Sequence, residues 1–233
     1  MKRLRATIAL DLRLQLRNGF YYAAAFVAIF WAAALSRIPA GSVAPWLPVF
    51  ILSNLLINGF YFMAGLVLLE KSEGTLMARS VTPLRAWEYL SSKVITLVLL
   101  SAGESVVIVA YGYGTGFEPI LLLLGVLFSV AIFALSGFLF VIRYNSVNEF
   151  LFPSFVFTLF FALPFLSFFG LLETWLIYLH PLQGSLLLTQ SAFEPIESWQ
   201  WGYSLVTSIA WIGAAFSLCV REFLRFVVAT EED

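Results

Sequence analysis

Six apolar runs divide the chain, at roughly 20–36, 47–69, 94–112, 119–142, 150–172 and 202–220. At 1.5 Å per residue each predicts a helix long enough to cross a hydrocarbon core of about 30 Å, the first only just. The stretch 1–18 ahead of them is too polar to span. Leu4, Ile8, Leu12 and Leu16 recur at a spacing of four, with Arg3, Arg13 and Arg17 largely off that flank, which predicts an amphipathic helix lying in the membrane interface. Leu10 to Arg17 also alternates as a strand would, but a lone strand beside a bilayer leaves its backbone unpaired.

Two polar connections interrupt the apolar pattern. In 70–93, Gly74 stops the preceding helix, because glycine is a poor helix residue and a good terminator. Residues 74–80 then have room for one short amphipathic helix. Thr82 as N-cap and Pro83 at the first helical position restart the chain as a long helix. The other connection, 173–201, is too long for a turn, yet His180-Pro181 and Glu194-Pro195 cut it into pieces too short to span. Its interface-seeking aromatics, Trp175, Tyr178, Trp199 and Trp201, with Tyr203 just beyond, predict two short re-entrant helices dipping into the outer leaflet. A seventh span here would put Arg221 and Arg225 outside, so six are counted.

Composition turns these helices into membrane spans. The chain is 61% hydrophobic and 12% charged, with a mean hydropathy of +0.92, more apolar surface than 233 residues could hide from water. The expected fold is all-α and integral to the membrane, one domain over 1–233. With five basic residues before Asn18, four in 70–93, Arg143 between spans four and five, and Arg221 and Arg225 after span six, 12 of the 13 Lys+Arg fall on one face. Only Arg37 falls on the other, so both termini are expected in the cytoplasm. The basic N-terminus lacks a short apolar core and cleavage site after it and reads as retained.

The residue inventory narrows the chemistry. One cysteine, Cys219, and one histidine, His180, exclude an internal disulfide and any Cys cluster or multi-histidine site within the chain. No Gly-x-x-x-x-Gly-Lys-Ser/Thr loop is present, so the chain does not hydrolyse ATP alone. Gly112, Gly114 and Gly116 form a G-x-G-x-G run at the outer end of a span, which reads as a flexible turn. Ala134-Leu135-Ser136-Gly137 faintly resembles the nucleophile motif of rhomboid intramembrane proteases. Its leading glycine is alanine, however, and His180 lies in a loop where a catalytic base is misplaced. Ser136 shares a face with Gly125 and Ser129 as a small packing residue.

Glu104 stands midway along the third span, where a charged carboxylate costs ~2.5–3.5 kcal/mol by insertion scales. Ser101 and Tyr111 fall near its face, with Ser105 at the edge. Two roles are open: meeting a cationic or hydrogen-bonding substrate, or, protonated, tying helices together. Asn54, Asn58, Tyr61 and Gly65 make a second polar or small stripe at i, i+4, i+7 and i+11 of the second span, either a packing seam or a pathway wall. Pro153 and Pro164 should bend the fifth span, which is crowded with phenylalanine. Arg143 to Glu149 is a short cytoplasmic turn, either merely solvated or a further contact for a partner.

Glu70-Lys71-x-x-Gly74-Thr75-Leu76, then Thr82-Pro83-Leu84, then Glu88-Tyr89-Leu90-x-x-Lys93, resembles the cytoplasmic segment of type-2 ATP-binding-cassette (ABC) exporter permeases, and is most similar to the fluoroquinolone-export branch. The resemblance extends more loosely over the whole chain in length and helix pattern. It implies an elbow helix at 1–18 and a coupling helix in 70–93 that docks on an ATPase through Glu73, Gly74, Thr75, Leu76, Met77, Thr82 and Pro83. It implies a translocation pathway bordered by the second and fifth spans, with Asn54, Asn58, Tyr61 and Glu104 as candidates. The implied partners are two copies of a separate ATPase that carries Mg-ATP, a second permease of the same or a sister chain, membrane lipid and a small amphipathic or drug-like substrate, with no nucleic acid. No cofactor is expected on this chain, and the implied location is a prokaryotic plasma membrane. An ion-gradient carrier or channel built on Glu104 is the alternative from another class.

Overall fold

The computed structural model describes residues 2–76, 84–172 and 174–231, and every long element among them is a helix. The principal elements are α1 (Lys2–Arg17), α2 (Phe20–Leu35), α3 (Leu47–Leu56), a π-helical turn (Ile57–Tyr61), α4 (Phe62–Ser72), α5 (Ala86–Gly112), α6 (Pro119–Val141), α7 (Val147–Phe161), α8 (Leu163–Phe168), α9 (Gln183–Gln190) and α10 (Ser198–Glu231). Among the described residues, five stretches are long and apolar enough to cross a membrane: Ala44–Ser72, Ala86–Gly112, Pro119–Val141, Val147–Phe168 and Ser198–Phe226. The expected first span is shorter than the rest. α2 has 16 residues, about 24 Å of helix against a core of about 30 Å. It becomes a sixth candidate only when taken with Arg3–Arg17, from which it is bent by 65°. Gly19, at φ 84°, makes the bend, a left-handed conformation that suits glycine.

α1 is a helix as expected, but its buried face is not the leucine flank. Thr7, Asp11 and Gln15 are buried on the side toward α5, while Leu4, Ile8 and Leu12 are half-buried and Leu16 is exposed. Asp11 and Gln15 turn inward because α5 offers them partners, Ser92 and Thr96, and lipid offers none.

α6 is the centre of the bundle, packed against the π turn, α3, α4, α5, α9 and α10. Two glycines bring it closest to the π turn. A Cβ at Gly59 would lie 2.6 Å from Phe133 Cβ, and one at Gly137 would lie 2.6 Å from the Phe60 carbonyl oxygen. The short helix α9 is wedged between α6 and α10, with residues Gln183 to Thr189 all buried. α7 is held differently, through rings: Phe140 to Phe157 at 4.0 Å, Phe133 to Phe161 at 5.3 Å and Phe60 to Phe150 at 5.9 Å between centroids. Its outer face, with Phe152 and Phe155, is bare.

Several boundaries differ from the sequence reading. α5 starts at Ala86 with Arg85 as its N-cap, not at Thr82-Pro83, which lie outside the described residues. The reason is Glu88, whose carboxylate accepts from the Arg85 N–H at 3.0 Å and satisfies a donor at the helix start. α10 runs on to Glu231, well past 220. Between the fifth and sixth spans there are two short helices, a 3-10 turn over Trp175–Leu179 and α9.

The fifth span breaks at Ala162, where α7 ends and α8 begins with Pro164 in its first turn. Proline has no N–H to give the Phe160 carbonyl four residues back. His180 supplies the missing donor, with Nε2 3.2 Å from the Phe160 oxygen, while its Nδ1 accepts from the Leu182 N–H at 3.2 Å. Those bonds need the neutral Nε2–H tautomer. Burial pushes the imidazole down from 6.5 to about 4, against the opposing pull of the Phe160 oxygen. An unfolded chain takes up a proton as pH falls below 6.5, and the folded one resists until about 4. Stability from this group is therefore complete above pH 6.5 and lost as pH falls through that window. Thermal unfolding of the purified protein should shift to lower temperature between pH 7 and pH 5, and His180→Gln should flatten that part of the profile.

Candidate functional site

Two buried polar centres stand at different depths along α5. The first joins three helices around one lysine. Lys93 Nζ lies 2.8 Å from Glu70 Oε1 and 3.6 Å from Asp11 Oδ1, with the lysine and aspartate side chains wholly buried. The hydroxyl of Tyr89 donates to Glu70 Oε2 at 2.7 Å and that of Ser92 to Asp11 Oδ2 at 2.6 Å. Gln15 adds a bond to Thr96 at 2.8 Å, and Lys93 also sits 4.9 Å from the Tyr89 ring centroid. A buried ammonium is tolerable only with such company, since the penalty for removing a charge from water is several kcal/mol per ion. Glu70 and Lys93 are the first and last residues of the 70–93 segment, so their pairing closes its base.

The second centre is at mid-span. Asn54 Nδ2 donates to Glu104 Oε1 at 2.9 Å, and Asn58 Nδ2 donates to Glu104 Oε2. All three residues are buried. Asn54 and Asn58 meet Glu104, but Tyr61 shares a hydrogen bond of 2.8 Å with Thr158 of α7 instead. The π turn accounts for this: its extra residue per turn breaks the α-helical phase that would have stacked Tyr61 over Asn58. On α5, Ser101 and Ser105 are buried near this level, whereas Tyr111 is 75% exposed and takes no part.

In the 70–93 segment, Gly74 ends α4 as expected, with φ 67° and its N–H on the Lys71 carbonyl at 3.1 Å. Glu73 is exposed and pairs with Arg17 at 3.1 Å, and Thr75 Oγ1 donates to the Glu70 carbonyl at 3.2 Å. Leu76, expected as a docking anchor, is instead 1% exposed within this chain's own core. An apolar side chain already packed there has no surface left to offer a partner. Met77, Thr82 and Pro83 lie outside the described residues.

Elsewhere, Ser136 lines a groove with Arg143 and Glu222, while both ring nitrogens of His180 are engaged by main chain. Arg143 lies 3.8 Å from Glu222, which Arg225 contacts at 2.9 Å. Among the described residues no cluster of His, Cys, Asp and Glu could hold a metal ion. Sequence reading missed Asp11. The available signal was an acidic residue between Thr7 and Gln15 at a spacing of four, in an otherwise basic helix.

Residues 2–231 match the family described as fluoroquinolones export permease protein. Two relatives so named come from Mycobacterium tuberculosis, strains CDC 1551 / Oshkosh and ATCC 25618 / H37Rv. Each is 32% identical over 231 residues, covering 98% of this chain and 98% of the relative.

The lysine centre carries a stability prediction. Lys93→Met leaves Asp11 and Glu70 buried without their shared cation, which should cost about 3–5 kcal/mol. Chemical unfolding in detergent, compared with wild type, measures it; a loss under about 1 kcal/mol, the range of an exposed pair, would contradict the burial argument.

Proposed function

Because this chain belongs to the fluoroquinolones export permease protein family, we propose that it is the membrane subunit of an ATP-driven exporter, working with a separate ABC ATPase. Two ATPase copies carry the Mg-ATP, and a second permease, the same chain or a sister, completes the transporter. The names of the relatives point to a drug-like amphiphile as cargo. The observation that carries the reading is the Glu70–Lys93 pair at 2.8 Å, together with Asp11. It ties the base of 70–93 to two spans and to α1, so a push on that segment moves all three helices together. In this reading α1 is an interfacial elbow helix and the helices between spans five and six sit in the outer leaflet. Glu73, Gly74, Thr75, Met77, Thr82 and Pro83 form the contact zone for the ATPase, with Leu76 supporting it from below. Asn54, Asn58, Tyr61 and Glu104 border the pathway.

A gradient-driven carrier is the second reading, favoured by one observation, the carboxylate of Glu104 buried at mid-span. Uptake into vesicles holding this chain alone would support it.

The ATPase reading is tested by co-purification with the ATPase encoded beside the permease and by transport per ATP hydrolysed. Met77→Asp should weaken co-purification roughly tenfold or more while insertion survives, as for an apolar anchor given a charge. Leu76→Asp should instead damage folding. Normal binding and coupling in Met77→Asp would remove the docking contact from this segment.

Orientation follows from the 12-to-1 division of basic residues. In a Cys219→Ala background, Asn145→Cys should react with a membrane-impermeant maleimide only from the cytoplasm. Gly116→Cys and Glu197→Cys, both at exposed positions, should react only from outside. The reverse pattern would invert the topology.

A further inference from the structure

A cleft of about 310 Å³ lies between α2 and α5. It exists because the facing residues are small. α2 contributes Ala24, Ala25 and Ala28, and on α5 a Cβ built at Gly103 would meet nothing within 4 Å. Its lip is apolar and bare: Ile29 is 67% and Leu99 56% exposed, so the opening faces the lipid side of the bundle. Tyr21 and Glu104 also line it. Glu104 thus lies between two environments. On the far side Asn54 and Asn58 hold it in place; on the near side it borders an otherwise apolar slot.

That pairing selects among ligands. An anion would meet like charge in a poorly solvated place, and a neutral apolar molecule would gain burial but leave the carboxylate uncompensated. A cation with an apolar body gains on both counts, through a charge-assisted contact to Glu104 and through attraction to the Tyr21 ring. The volume, at the lower end of the ~300–1,000 Å³ usual for ligand sites, favours a compact or flat molecule. We propose that the α2–α5 cleft binds a compact lipophilic cation arriving sideways from the lipid, with Glu104 as its counter-ion. That such a cation is cargo rests on the exporter reading; that it binds does not.

The experiment uses the purified full chain in phosphatidylcholine nanodiscs, without any ATPase. Ethidium, a flat permanent cation, is titrated and followed by fluorescence anisotropy, with neutral phenanthridine as competitor. Saturable ethidium binding is expected, resistant to phenanthridine. Glu104→Gln, which keeps an oxygen for the asparagine amides, should weaken it roughly tenfold or more. Gly103→Leu, which fills the slot while leaving the carboxylate in place, should weaken it similarly. Phe152→Leu on the bare face of α7 should change nothing. Wild-type affinity in either of the first two variants, each with an unchanged melting temperature, would overturn the proposal. So would equal competition by phenanthridine, which marks a slot for lipid chains, or a change in oligomeric state in Gly103→Leu, which marks a seam between permeases. A chain that binds ethidium as expected but never pairs with an ATPase would sink the exporter mechanism and leave this site standing.

Discussion

The burial of Lys93 constrains the rest of the structure. An ammonium group sealed from water at the end of a membrane helix needs anionic partners in contact, and those come from different elements: Asp11 from α1 and Glu70 from α4. Tyr89, one turn before Lys93 on α5, and Ser92, immediately before it, fill further acceptor positions on the same two carboxylates. Once these bonds form, the rotation of α1 about its own axis is fixed, because only the Thr7–Asp11–Gln15 face can meet α5. The entry angle of 70–93 is fixed as well, since its two ends are held together. Leu10 and Leu16 of α1 are then left facing outward, which a membrane protein can accept and a soluble one could not.

Packing away from this clamp divides into a stiff part and a looser part. Around α6 the chain packs closely at Gly59, Gly125 and Gly137, as α9 does against α10 at Gly184: a Cβ at any of the four would collide with a neighbour. Such contacts leave no slack for sliding. α7 instead leans on the bundle through a layer of phenylalanine rings and the bonds of Thr158 and Ser154 to the Tyr61 hydroxyl, and it is broken at Ala162 where His180 replaces the donor that Pro164 lacks. Rings can shift against one another at less cost than interlocked backbones. A permease that must change shape has, in α7 and the break beside it, the element least bound to the rest.

The two polar centres sit on the same helix, at Lys93 and Glu104, 11 residues apart, or about 16 Å along α5. One is sealed and braced; the other borders an open cleft. α5 runs unbroken between them. In the proposed exporter this places force and cargo on one continuous helix.

Sequence alone determined the features that depend on local spacing and length. Apolar runs long enough to span gave the helices, the positive φ available to Gly74 gave the stop of α4, and the four-residue step from Asn54 to Asn58 put both amides on one face. The family could be read from 70–93 because those residues are close in the chain. Tertiary structure decided what joins across distance. Asp11 meets Ser92 across 81 positions and Asn54 meets Glu104 across 50, and no periodicity in either helix specifies its partner. It also decided where local rules yield: Tyr61 left its stripe because a π turn reset the helical phase, Arg85 capped α5 because Glu88 reached back to it, and Leu76 went inward because the core had room for it. An amphipathic pattern states which side chains belong together, but in lipid it does not state which face turns in, because the outside is apolar too.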